Sequence, residues 1–231
     1  METSESLRTG RLSVVLPAYN EEESVPLAAD VIGNLLTRAG IDHELIFVND
    51  GSRDHTWRAI QEAAARRPQV RGIRFSRNFG KEAAIFAGLA QARGDCCVVL
   101  DCDLQHPPEK ILEMYSLWQQ GWQVVEGIKV SRGKESPLHT LAAKTFYRFL
   151  SGATRLDMSH ASDFKLLDRR AVDVLVAMRE KNAFFRALSS WIGFDTTQVE
   201  FEVQPRAAGQ SKWSLRSLTR YAVTNLAAFS T

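Results

Sequence analysis

The sequence predicts an α/β fold in which a mainly parallel sheet carries helices on both faces. Three observations lead there. Short apolar, β-branched runs alternate with helical patterns through the first half of the chain. The run Cys96 to Leu100 is apolar throughout. The composition, 45% hydrophobic and 24% charged, is that of an ordinary globular protein and excludes disorder over most of the length. At 231 residues, one large domain or one domain with an appendage is expected.

The elements follow in order. Leu12–Leu16 reads as a first strand, ended by Pro17. A helical pattern runs from Ser24 to Arg38, where Gly40 punctuates it. Glu44–Val48 is a second strand. Asp54 can cap the next helix, which continues through Trp57, Ile60 and Ala64 to Arg67. Val70–Phe75 is a third strand, Lys81–Ala92 a third helix and Cys96–Leu100 a fourth strand. Pro107 and Pro108 open a helix to about Gln120, since proline suits a first helical turn. Trp122–Glu126 reads as a fifth strand. The βαβα order gives a Rossmann-like parallel layer.

The pattern breaks after Val130. A polar loop, 131–137, leads into a basic amphipathic helix, Leu138–Leu150. Ser162–Leu167 is a short strand with a helix beginning at Asp168, and Val199–Val203 alternates as a half-exposed strand does. Gln204–Lys212 is a loop. From Ser214 to Phe229, Leu215, Leu218, Ala222, Leu226 and Phe229 form one narrow apolar stripe.

The 29 lysines and arginines against 27 acids leave a net charge of +2, so the total does not suggest a nucleic-acid binder. No apolar run approaches the ~18 residues of a membrane span, and the N-terminus lacks the apolar core of a signal peptide. Cys96, Cys97 and Cys102 fit neither a disulfide framework nor a zinc spacing; buried thiols in a cytoplasmic domain are expected. The five histidines share no metal spacing and read as surface or capping residues. The charge is unevenly placed. Lys129, Arg132, Lys134, Lys144, Arg148 and Arg155 meet one acid, Glu135, between 127 and 156. Arg206, Lys212, Arg216 and Arg220 meet none between 203 and 231. The second half is therefore expected to face something anionic, phosphate or membrane surface.

Ligands of an open parallel sheet bind beyond the carboxyl ends of its strands. Glu21 stands there after strand one, Asp50 after strand two, and Asp101, Asp103 and Gln105 after strand four. Carboxylates gathered at one edge repel unless a cation or a donor-rich ligand lies among them. Asp101-x-Asp103 with Gln105 offers hard oxygen donors suited to Mg2+ or Mn2+, although an isolated D-x-D is also a common solvated turn. Neither G-x-G-x-x-G nor G-x-x-x-x-G-K-[ST] is present, which disfavours dinucleotide binding and P-loop phosphoryl transfer.

Val14–Glu22, Val48–Asp54, Arg77–Lys81 and Asp101–Pro108 together resemble the successive motifs of family 2 glycosyltransferases with the GT-A fold. Ser162–Arg169 and Gln204–Trp213 narrow the resemblance to the polyprenyl-phosphate sugar transferases. It covers about residues 11–231. Lys129 stands where some relatives carry arginine, and His106 where many carry Asp or Asn. The resemblance implies a GT-A domain over 11–212 and an amphipathic juxtamembrane segment over 213–231, with the family's transmembrane helices absent from this chain. It implies inverting transfer of a sugar from a nucleoside-diphosphate sugar, UDP-glucose by closeness, to a polyprenyl phosphate at the cytoplasmic face of a membrane. Other UDP-sugars and GDP-mannose stay open, as does a homo-oligomer.

By the same resemblance, Pro17, Tyr19, Glu21, Val48, Asp50, Asp101, Cys102, Asp103 and Lys129 contact the donor, with Glu21 on the ribose and Asp50 on the base. Asp101, Asp103 and Gln105 hold Mg2+ or Mn2+. Arg206, Ser211 and Lys212 bind phosphate. Asp163 stands where hydroxyl-directed relatives place a base. A phosphate monoester acceptor has a second pKa of about 6 and needs no proton removed, so Asp163 is expected to orient the acceptor or a basic neighbour. Bland readings accompany several of these: Glu21 as an acid near a helix start, Asp50 in an Asx turn, Asp163 as a helix-flanking acid, and the 214–229 stripe as core. Arg216 and Arg220 beside that stripe favour an anionic membrane surface. Three other functions compete: transfer to a saccharide hydroxyl, a D-x-D phosphatase, and a non-catalytic nucleotide- or lipid-binding subunit.

Overall fold

The computed structural model describes residues 8–130, 162–178 and 185–206. Ser211, Lys212, His139, His160, the 138–150 helix and the 214–229 stripe lie outside the described residues.

The elements are β1 (Leu12–Ala18), α1 (Ser24–Arg38), β2 (His43–Asn49), α2 (Thr56–Arg66), β3 (Val70–Arg74), α3 (Lys81–Gln91), β4 (Cys96–Val99), α4 (Lys110–Gln119), β5 (Val124–Lys129), β6 (Lys165–Asp168), α5 (Arg169–Ala177), α6 (Phe185–Trp191) and β7 (Thr196–Phe201). The strands form one seven-stranded sheet in the order β3-β2-β1-β4-β6-β5-β7. Every pairing is parallel except those of β6, which runs antiparallel to β4 and β5. The mainly parallel α/β fold with helices on both faces is thus the one expected.

β1 and β2 are buried at every position because helices cover both faces. On one face α1, α2 and α4 contribute Ile32, Leu36, Ile60, Met114 and Trp118 to the core. On the other, α3, α5 and α6 contribute Ile85, Leu89, Leu175 and Phe185. Adjacent Cys96 and Cys97 fall in these two opposite clusters, as strand alternation requires. All three thiols are free and buried.

Several boundaries move, and each for a local reason. The first strand continues through Pro17 to Ala18 instead of stopping there. Val15 O accepts from Leu100 N, whereas Leu12 N and Ala18 O bond the β2 side. Odd positions of β1 therefore face β4, and pairing with β4 ends at Val15. Proline's missing N–H at position 17 costs no ladder bond. The fifth strand begins at Val124 because Trp122 N still closes the end of α4 on Leu117 O. It extends to Lys129 because β7 pairs along its outer side as far as Phe201. Ser162 and Asp163 precede β6 and stand outside the strand; Ser162 Oγ donates to Gly127 O at 2.8 Å. β7 starts at Thr196 and stops before Val203, which is exposed. Pro107 and Pro108 stand in a turn ahead of α4, whose Lys110 N donates to Pro107 O. Helix α6 carries no sequence signal of its own start. Its first amide, Phe185 N, donates to Glu82 Oε2 on α3 at 2.9 Å.

Candidate active site

The edge at the carboxyl ends of the parallel strands collects the charged residues. β1, β2 and β4 deliver Glu21, Asp50, Asp101 and Asp103 from their C-terminal ends. Because β6 is reversed, its N-terminal end lies on the same edge and brings Asp163 there. β7 is parallel to β5 and continues to Arg206 at this edge; Gln204 N donates to Gln105 O at 2.9 Å. Lys81 begins α3 and Arg186 lies in α6.

The loops after β1 and β2 are laced into one surface. Asn20 N donates to Ser52 Oγ at 2.9 Å, Arg53 N to Asn20 Oδ1 at 2.8 Å, and Glu21 N to Thr56 Oγ1 at 2.7 Å. Gly51 takes the left-handed conformation, φ 63°, and a Cβ there would overlap the Arg77 backbone. The 76–80 loop can therefore lie directly on the β2 turn. The cap position of α2 is His55 rather than Asp54; Asp54, one residue earlier, accepts from Thr56 N at the first residue of the helix.

Asp50 is buried, and both its oxygens accept backbone amides: Phe79 N at 2.7 Å and Gly80 N at 3.0 Å. Burial pushes its pKa up against the pull of those two amides. It fixes the entry to α3, a partner set other than that of an Asx turn. Glu21 Oε2 accepts from Ser24 Oγ at 2.6 Å at the start of α1. Its other oxygen lies 3.5 Å from Arg206 Nη1.

Leu104 takes a left-handed backbone, φ 59°, between Asp103 and Gln105. That turn lets Gln105 N donate to Asp103 Oδ1 at 3.1 Å. Arg206 Nη2 holds the other oxygen of Asp103 at 3.1 Å. Arg206 Nη1 is buried and, despite its nearness to Glu21, makes no hydrogen bond.

Lys81 Nζ bridges two carboxylates, Asp101 at 2.6 Å and Asp163 at 2.8 Å. Burial alone would disfavour the ammonium; the two anions override this and hold it protonated. Asp163 also takes a bidentate clamp from Arg186, Nε at 2.7 Å and Nη2 at 2.9 Å. Burial would raise Asp163, but Lys81 and Arg186 together keep it well below the usual carboxylate range. Asp101 is likewise held below its ordinary value by Lys81 against the effect of burial. Glu82, next to Lys81, is driven the other way: burial and the nearby Asp163 charge raise it to about 7.

Behind this cluster Lys165, buried at the start of β6, pairs with Glu126 at 2.9 Å and donates to Ser189 Oγ at 2.9 Å. Burial lowers its pKa, with Glu126 opposing.

Three sequence expectations need correction. Val48 has no accessible surface; its side chain packs with Ile46 and with Ala84 of α3. Cys102, between the two aspartates, turns its thiol into the core. His43 and His106 are not surface residues. His43 is buried with Nδ1 2.8 Å from Ile41 O, and His106 lies between the rings of Phe164 and Phe201, centroids 5.0 and 5.2 Å away. Tyr19 is exposed at the end of β1, Pro17 is buried beside Val48, and Lys129 is exposed at the end of β5. Lys81, Glu82 and Arg186 received no role from sequence. Only Lys81 carried a signal, as the last residue of the Arg77–Lys81 motif.

Among the described residues no three His, Cys, Asp or Glu side chains form a ready-made metal cage. The donor set still fits a hard divalent cation completed by phosphate and water. Asp101 and Asp103 supply one carboxylate each within a single turn and Gln105 adds an amide, while Arg206 Nη1, which makes an ion pair but no hydrogen bond, suits the phosphate that would complete the shell. No described helix is long and apolar enough to cross a membrane.

Comparison with known proteins agrees with this geometry. The family model for glycosyl transferase family 2 matches residues 13–175. The chain is 39% identical to the uncharacterized glycosyltransferase YkcC of Bacillus subtilis, over 94% of this chain and 68% of that one. It is 34% identical to the bactoprenol glucosyl transferase of Shigella phage SfV, over 96% of this chain and 72% of that one. Among solved structures it resembles Mycobacterium tuberculosis glucosyl-3-phosphoglycerate synthase in complex with Mn2+, UDP-glucose and phosphoglyceric acid. There the identity is 21% and the TM-score 0.63, over 96% of this chain and 80% of that one. At that identity the likeness bears on fold alone, and the fold is GT-A.

Proposed function

The chain belongs to glycosyl transferase family 2, and from that premise we propose that it moves glucose from UDP-glucose to a polyprenyl phosphate with inversion at the anomeric carbon. One observation carries the reading: five strands and two helices converge acidic and basic side chains on a single sheet edge, where Asp103 meets Arg206 and Asp163 meets Lys81 and Arg186. The choice of sugar and acceptor is supported by the bactoprenol glucosyl transferases, similar over almost the whole chain.

In this mechanism Asp101, Asp103 and Gln105 would hold Mg2+ or Mn2+, and the cation would neutralise charge on the departing nucleoside diphosphate. Arg206, already at Asp103, turns its unsatisfied Nη1 to a phosphate oxygen. Glu21 and Tyr19 bound the nucleoside side of the edge. Asp163 does not serve as a base. Two cations keep it ionised but leave it a weak proton acceptor, and an acceptor phosphate arrives already deprotonated. The basic segments in the second half of the chain would set this edge against an anionic cytoplasmic leaflet.

A thermal-shift panel of UDP- and GDP-sugars with Mn2+ tests the donor, since a ligand at 100 times its Kd adds about 2.7 kcal/mol of stability. Transfer of radiolabelled glucose to a short polyprenyl phosphate tests the acceptor. Stabilisation by GDP-mannose alone, or transfer only to free sugars, would overturn the assignment.

A further inference from the structure

Lys165 stands where the alternation of its strand calls for an apolar side chain. Phe164 and Leu166 fill the core on one face of the sheet and Leu167 fills it on the other. Lys165 shares the Leu167 face, yet carries an ammonium there and is only 1% exposed. Its counter-ion is Glu126, 2.9 Å away and directly opposite on β5. A buried ion pair is a poor source of stability, since well-packed apolar residues in its place are often neutral or better. What this pair supplies is direction. Lys165 Nζ donates to Ser189 Oγ at 2.9 Å and to Ser190 Oγ at 3.3 Å, and reaches Arg186 O at 3.4 Å. The two hydroxyls donate in turn to that same carbonyl, at 3.2 and 3.1 Å. Apart from Glu126, the partners of the ammonium all lie on the turn of α6 that begins with Arg186. A helix as short as Phe185–Trp191 has little stability of its own, so contacts of this kind decide where it sits. Arg186 in turn clamps Asp163 through Nε and Nη2, and Asp163 meets Lys81, which touches Asp101.

We propose that Lys165, with Glu126 behind it, is a positioning residue for the transfer reaction: its ammonium sets the rotation and height of α6, and with them the point from which Arg186 holds Asp163. Burial seals Lys165 from any substrate, so it acts only through the helix. The path runs from the ammonium through the Ser189 hydroxyl to the Arg186 carbonyl, and from the Arg186 guanidinium to Asp163. An apolar peg would fill the same space without fixing α6 along its axis, because hydrophobic contact has no preferred direction. The inference rests on the proposed sugar transfer.

The test removes the pair without stranding a charge. Lys165→Met with Glu126→Gln should fold with a urea midpoint near the wild-type value. It should still lower kcat for transfer from UDP-glucose to farnesyl phosphate by about tenfold or more, with the Kd for UDP-glucose unchanged. Because the ammonium works through Arg186, adding Arg186→Gln to this double variant should make it no slower than Arg186→Gln alone. A folded double variant with wild-type kcat, or losses that multiply when Arg186→Gln is added, would overturn the proposal. Ser189→Ala with Ser190→Ala keeps the ion pair and cuts its link to α6. If the first double variant fails to fold, a kcat loss in this one that disappears in the Arg186→Gln background upholds the proposal, and wild-type kcat rejects it. A second readout needs no turnover: with isotope-labelled arginine, exchange of the Arg186 Nε–H with water, followed by NMR, should be faster in either folded variant. Should the wild type glucosylate no farnesyl phosphate, the assignment of sugar and acceptor fails by itself. Unchanged exchange at Arg186 would then refute the positioning role, and faster exchange would uphold it.

Discussion

Arg206 Nη2 stands 3.1 Å from Asp103 Oδ2, so the chain beyond the last edge strand closes onto the turn that follows β4. Gln204 N and Gln105 O tie the same two segments with a backbone bond. In the proposed reaction Arg206 would turn from Asp103 to the diphosphate of the donor.

Donor binding should require a divalent cation, and Asp103→Ala should cut transfer by about a hundredfold or more while the fold survives. Arg206 keeps Glu21 and solvent as alternatives, so the stability loss should stay near about 1 kcal/mol. Transfer rates with and without excess EDTA, beside urea melts of both proteins, check this. Full activity in chelator would contradict it.

Arg206→Lys should fare almost as badly in turnover as Arg206→Ala. The site uses two guanidinium nitrogens, one toward Asp103 and one toward Glu21, and an ammonium cannot span them. Steady-state kinetics would show the idea wrong if lysine restored most of the wild-type rate.

Asp163→Asn should lower turnover without removing the acidic limb of the pH–rate profile, because in the proposed reaction that limb belongs to an acceptor phosphate ionising at about pH 6. The same substitution should change stability at low pH. A carboxyl depressed in the folded state stabilises above its unfolded pKa of about 3.9, and that contribution fades as pH falls below it. The variant's stability should therefore depend less on pH below about 4. An acidic limb in wild type that vanishes in the variant would make Asp163 the base after all.

Glu82 has the opposite sign. Its pKa is raised to about 7 from 4.5, so its protonated form favours the fold. The contribution is complete below 4.5 and disappears as pH rises through about 7. Glu82→Gln keeps an acceptor for Phe185 N and removes the titration. Urea midpoints from pH 5 to 8 should fall for wild type and stay flatter for the variant; parallel curves would refute the shift.

Lys165→Met should cost about 3–5 kcal/mol, because it strands Glu126 beside a buried apolar group. Removing both partners, Lys165→Met with Glu126→Gln, should recover much of that loss. Denaturation of the two single variants and the double variant gives the coupling directly.

Legibility in the sequence followed how local each signal was. Ser24–Arg38 is one unbroken 3.6-residue pattern, and the helix spans just those residues. β1 to β4 were equally plain because apolar runs between turn residues need no partner to be seen. Glu21, Asp50, Asp101 and Asp103 were legible for the same reason, since each comes just after a strand; Asp163 stands ahead of the reversed β6 and was reached only through the motif resemblance. Arg186 was not, because the cap that starts its helix is Glu82, over a hundred residues earlier in the chain. Lys81 lay in a recognised motif, but sequence cannot say that its two anions come from β4 and from a reversed strand. Val48 and Cys102 share motifs with site residues, yet their side chains face the packed helices instead of the edge.

The buried cysteines give the molecule an internal clock for its own opening. Cys96 and Cys97 occupy the central strand, and Cys102 lies inside the carboxylate turn. Burial holds all three in the unreactive thiol form, Cys97 pushed up to about 12. A thiol reagent can therefore modify them only during excursions that expose them. Cys96 and Cys97 report separation of the sheet itself, whereas Cys102 reports local loosening of the turn that carries Asp101 and Asp103. If nucleotide and metal slow labelling at Cys102 more than at the other two, ligand grips that turn first, and the protein records the event without any added probe.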